Sequence, residues 1–131
     1  MEKNTITDAN KLQTYLNAKE HVIKQLALGN SSLLIPWKPE LQDIIIEKVN
    51  AILQDSNKKY PYIKEYSEDT FQRSAERVYD AIRSFDYPPF TIQRLCEILL
   101  EPNTCQIKNT NVYMRRLVKM VSVTSTINHN V

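Results

Sequence analysis

Apolar residues recur along most of this chain at the three-to-four-residue spacing of amphipathic helices. From about Asp8 to Leu28, the residues Leu12, Leu16, Ile23 and Leu26 fall on one stripe, with Tyr15 and Val22 at its edge. Thr7 or Asp8 is placed to cap the start of this helix and Gly29 to supply its left-handed stop. A polar linker, Gly29-Asn30-Ser31-Ser32, leads into Leu33, Leu34, Ile35 and Trp37, which Pro36 interrupts, so this stretch reads as extended chain laid into the core. A second helix is predicted from Lys38 or Pro39, because proline suits a first turn. Its wide stripe of Leu41, Ile44, Ile45, Lys48 (aliphatic stem), Val49, Ile52 and Leu53 implies contact with two neighbours. The pattern breaks at Asp55–Lys59, and Tyr60-Pro61-Tyr62 marks a loop.

The third helix has the clearest signature: Ser67 as cap, Glu68 and Asp69 at the positive end of the dipole, then Phe71, Ala75, Val78 and Ile82 on one face. It must end before Pro88-Pro89. A fourth helix opens at Thr91 as cap and carries Ile92, Leu95, Cys96 and Leu99 until Pro102 stops it; Phe90 is placed for a hydrophobic staple on Leu95 or a neighbour. A fifth helix is predicted over Asn109–Met120, with Val112, Tyr113, Leu117 and Met120 inward. The alternating, β-branched run Val121–Ile127 allows a short strand. The expectation is therefore an all-α, bundle-like domain of about five helices over 8–126, with flexible ends at 1–7 and 127–131. The last two helices have the spacing of a helix-turn-helix pair.

Length adds that 131 residues bury one core without staples. No run approaches a membrane span, and no apolar h-region follows Met1–Thr5, so neither membrane insertion nor a secretory signal is expected. Cys96 and Cys105 then read as free thiols in a reducing compartment. Composition mostly excludes. One glycine, Gly29, cannot build a phosphate-cradling loop, which argues against the common nucleotide-dependent enzymes. His21 sits in an amphipathic helix and His129 near the end, Cys96 shares an apolar stripe, and neither cysteine has a partner at zinc spacing. No catalytic residue, cofactor or metal is expected.

Charge is uneven but modest. The net charge is +2, and from Ile92 onward Arg94, Lys108, Arg115, Arg116 and Lys119 stand against only Glu97 and Glu101. Arg115, Arg116 and Lys119 on the fifth helix keep open a second reading, nucleic-acid binding through the helix-turn-helix-like pair. The overall charge is low for that task, so nucleic acid is not the expected partner.

The most informative residues are PPFTIQRLCEILLEP, 88–102, followed by NTNVYMRRLVKMVSVTS, 109–125. Pro89–Leu99 and Pro102, with Lys119–Ser125 downstream and Leu34-Ile35-Pro36-Trp37 upstream, resemble regulatory subunit 2 of protein phosphatase 4. Trp37, Phe90, Thr91, Leu95, Cys96 and Leu99 carry this likeness as a structural signature. The loop Asn103-Thr104-Cys105-Gln106 departs from the family, which often has a Tyr and a Gly there. The family also commonly carries a long acidic tail, which these residues do not include.

The resemblance implies a non-catalytic subunit that joins the phosphatase catalytic subunit and a third, scaffold-like subunit. It further implies action in nucleus and cytoplasm, with roles in the DNA-damage response. The helical pattern places Tyr87, Pro88, Gln93, Arg94, Arg115 and Arg116 outside the core, as candidates for partner contact. For each, a turn-setting or solvated role is the better explanation. Arg94 stands out, because a guanidinium beside a rigid turn grips a carboxylate with two bonds.

Overall fold

The computed structural model describes residues 2–29, 35–63, 70–103 and 107–123, with backbone alone for 2–10, 12–13, 15–16 and 103. Among these residues the chain forms five α-helices and no strand: α1 (Glu2–Ala27), α2 (Gln42–Lys59), α3 (Phe71–Ser84), α4 (Ile92–Leu100) and α5 (Thr110–Val121). The all-α expectation holds. The strand expected over 121–127 begins on Val121, which is the last residue of α5, and from 124 onward it lies outside the described residues.

Helix α4 is the centre of the packing. It lies against α1, α2 and α5, while α3 packs on α2 and α5. Its Leu95, Cys96 and Leu99 are fully enclosed, together with Ile45, Val49 and Leu53 of α2, Val78 and Ile82 of α3, and Leu117 of α5. These are the residues that the apolar stripes select, and their burial is the main favourable term in folding. Leu12, Tyr15 and Leu16 of the first stripe lie outside the described side chains; its later members Val22 and Ile23 are buried.

Several helix ends differ from expectation. Helix α1 begins at Glu2, so Thr7 and Asp8 lie within it and do not cap it, and residues 2–7 contribute its first turns. Gly29 does close it, with φ +80. Helix α2 starts later than Lys38 or Pro39, after one wide turn over Trp37–Leu41 that the Leu41 N–H closes onto the Pro36 carbonyl at 3.1 Å. It continues through Asp55–Lys59, where a break was expected; Ser56 is buried there and its hydroxyl meets Thr110 Oγ1 at 2.6 Å.

The cap of α3 is Thr70 and not Ser67, because the Thr70 hydroxyl accepts the Arg73 N–H at 3.2 Å. Asn109 caps α5 in the same way, accepting from the Val112 N–H at 3.0 Å. Val112 itself faces solvent, and its expected core place is taken by Met114 and by the polar Thr110 and Asn111.

Candidate functional site

The connection between α3 and α4 is the segment whose residues most resemble a known family, and its construction begins with unpaired carbonyls. A helix leaves its last carbonyls without intrahelical partners, and burial makes such groups costly. At the end of α3 two side chains from the start of α2 supply the donors. Gln42 Nε2 donates to the Ile82 and Phe85 carbonyls, each at 3.0 Å, and Trp37 Nε1 donates to the Phe85 carbonyl at 2.9 Å. Both Trp37 and Gln42 are buried, so these bonds are shielded from water.

The other end of the turn is tied to α5. Thr91 was expected to cap α4, but its hydroxyl makes no cap bond and instead donates to the Met120 carbonyl at 2.7 Å. The Ile92 N–H donates to the Pro89 carbonyl at 3.0 Å, and Pro89 is fully buried. The turn over Phe85–Thr91 is thus anchored by elements from both sides of the molecule.

On this anchored turn two aromatic rings face outward. Phe90 is 56% exposed and Tyr87 41%. A staple that covers the Phe90 ring is therefore not seen: more than half of the residue is open to solvent, while Leu95 is enclosed. Phe90 belongs to the outer surface, and its position beside a cap-like threonine misled the sequence reading. Pro88 is half-buried and shapes the turn.

The remaining candidates divide. Gln93 is exposed but engaged, its Nε2 donating to the Ala27 carbonyl at 3.2 Å. A Cβ on Gly29 would come within 3.2 Å of the same side chain, so glycine serves both the positive φ and this close approach. Leu28, the residue between them in sequence, is 76% exposed and sits at the same end of α4 as Phe90.

Arg94 is exposed one residue along α4, with its guanidinium 4.0 Å from Glu97. Arg116 is not a surface group awaiting a partner. Its guanidinium donates to both oxygens of Glu101, at 2.5 and 2.7 Å, closing α5 onto the end of α4. These bonds hold the Glu101 carboxyl below its usual range, with the Arg116 hydrogen bond the leading cause. Arg115 and Lys119 face outward, so the basic stripe read as nucleic-acid-binding loses its middle member to an internal pair.

Chemistry is sparse. Cys96 is a free, enclosed thiol whose pKa is pushed up to about 12, chiefly by burial and secondarily by Glu97. Cys105 lies outside the described residues. Among the described residues no group of three or more His, Cys, Asp or Glu is placed to hold a metal ion, and no helix is long and apolar enough to cross a membrane.

Comparison with known proteins finds relatives of the chain. The chain is 35% identical over 112 residues to serine/threonine-protein phosphatase 4 regulatory subunit 2 of Drosophila melanogaster, covering 79% of this chain and 18% of that protein. It is 27% identical over 99 residues to regulatory subunit 2-B of the same phosphatase from Xenopus laevis, covering 70% of this chain and 24% of that protein. The chain therefore matches about a fifth of the length of these curated relatives. No solved structure matches significantly. The PPP4R2 family model matches residues 8–130, nearly the whole chain, and the chain belongs to that family.

Proposed function

We propose that this chain is a non-catalytic regulatory subunit that binds the catalytic subunit of protein phosphatase 4 through the anchored α3–α4 turn. The observation that carries the reading is the pair of outward rings, Tyr87 and Phe90, on a backbone fixed by Trp37, Gln42 and Thr91. Rigid aromatic side chains are strong docking anchors, because they bury large area while losing little conformational freedom. Leu28, held near Gln93 at the start of α4, adds a further exposed apolar side chain, and Arg94 of α4 adds an exposed guanidinium. The relatives' names, which describe regulatory subunits of this phosphatase, support the assignment of partner.

In the same reading the chain joins a third, scaffold-like subunit, works in nucleus and cytoplasm, and directs dephosphorylation in the DNA-damage response. Imaging of a fluorescent fusion before and after DNA damage checks the last two points. The core of the proposal is tested by co-expressing the chain with the phosphatase catalytic subunit. A complex that survives size-exclusion chromatography at physiological salt is expected; two separate peaks would refute it.

A further inference from the structure

Between α1, the start of α2 and the segment that leads into it lies an open groove of about 430 Å³. Its floor is apolar, made by Val22, Ile35 and Ile44, and Ala18 leaves the α1 wall low. Its rim on the α2 side is acidic: Glu40 of the wide turn before α2, then Asp43 and Glu47 of α2. Lys19 of α1 pairs with Glu47, which neutralises one end. Glu40 and Asp43 at the other end are exposed and make no ion pair among the described residues.

We propose that this groove docks a short amphipathic helix of a partner protein, with apolar residues on one face and Lys or Arg beside them. Three observations fix that occupant. The two uncompensated carboxylates select a cationic rim and disfavour an acidic peptide, a nucleic acid or an anionic membrane. Along α1 and α2, which form the two long walls, the backbone groups are already bonded, so an occupant gains no backbone pairing there and must satisfy its own, as a helix does. The wall from Glu40, in the wide turn before α2, to Glu47 of α2 is about 10 Å long at about 1.5 Å per residue, which matches about two turns carrying apolar anchors at i, i+3 or i+4, and i+7.

None of these residues belongs to the α3–α4 turn, so the groove can serve a second partner while the turn holds the first. The proposal stands or falls independently of the phosphatase assignment.

The test uses the full chain and two synthetic helical peptides. One has Leu at i, i+3 and i+7 flanked by Lys; its twin has Glu in place of every Lys. Titration of the isotopically labelled chain with the Lys peptide should shift the amide signals of Ala18, Val22, Ile35 and Ile44, and the Glu twin should leave them in place. The double variant Glu40→Lys/Asp43→Lys should weaken binding of the Lys peptide by about tenfold or more, and added salt should weaken it in the wild type. Both substituted side chains are exposed, and circular dichroism confirms that the fold is kept. Absence of shifts at saturating peptide, equal binding of the two peptides, or shifts confined to the α4 end would each overturn the proposal.

Discussion

The segment Tyr60–Ile63 and the turn Phe85–Thr91 are both held by side chains that reach across to backbone, yet they are held in different ways. Asn111 grips Ile63 as a neighbouring strand would, accepting from its N–H at 2.9 Å and donating to its carbonyl at 2.5 Å. Thr110 Oγ1 donates to the Tyr60 carbonyl and Asn57 Oδ1 accepts the Tyr62 N–H. No residue of Tyr60–Ile63 is itself buried, and Ile63 is 70% exposed. Thr110 and Asn111 are buried, as are Trp37 and Gln42, but the α3–α4 turn also sinks its own Phe85 and Pro89 into the core. Hydrogen bonds alone contribute modestly and compete with water; hydrogen bonds sealed by apolar burial cannot be exchanged without opening the core. The second arrangement can present Tyr87 and Phe90 in one geometry, and this rigidity makes the turn the better docking element.

Substitutions can break or sharpen this contrast. Trp37→Ala removes a buried ring together with a donor to Phe85, and is expected to cost about 3–5 kcal/mol in urea unfolding. A loss below about 1 kcal/mol would show that the turn is not anchored through the core. Gln42→Ala leaves the Ile82 carbonyl without its side-chain donor and Phe85 with one donor fewer, with an expected cost of about 2 kcal/mol.

Asn111→Ala should cost only about 1 kcal/mol, since the freed Ile63 groups can turn to water. Its clearest readout is faster hydrogen exchange of the Ile63 amide while the Ile92 amide stays protected. Equal acceleration at both would erase the distinction between the two segments.

A smaller effect is expected at the Arg116–Glu101 pair, where both side chains reach solvent. Because folding lowers the Glu101 pKa, the pair stabilises the chain above the ordinary carboxylate range, and its contribution is lost as pH falls through the folded value. Arg116→Met should therefore lower Tm at neutral pH, and the gap to wild type should close in acid. A gap that widens in acid would contradict the pair's assigned sign. Phe90→Ala should change stability least, within about 0.5 kcal/mol, because more than half of the residue is already exposed in the folded chain.

The helices themselves are legible in the sequence where one face is apolar at helical spacing. Ala75, Val78 and Ile82 of α3, and Leu95, Cys96 and Leu99 of α4, are buried as their spacing demands. Trp37 is also buried as its apolar neighbourhood suggests, although its indole partner, Phe85, lies 48 residues away. Polar residues are where the pattern stops informing. Gln42 and Asn111 occupy helix positions that ordinarily face water, and only carbonyls 40 and 48 residues distant explain their burial.

Thr91 has the right chemistry for a cap, but the Met120 carbonyl, 29 residues on, takes its hydroxyl. Arg116 looks like a solvated or partner-seeking cation until the turn after α4 brings Glu101 against it. The outward face of Phe90 was hidden for a related reason: local spacing allowed a staple, and only the packing of α4 shows that Leu95 is already enclosed.

The central claim is that the anchored turn holds the phosphatase catalytic subunit through its two outward rings. Its most direct test is the affinity of the Tyr87→Ala/Phe90→Ala variant for that subunit, measured by calorimetry beside its Tm. The account predicts an unchanged Tm within a few degrees and a Kd raised by about tenfold or more. Wild-type affinity in a folded double variant would contradict it.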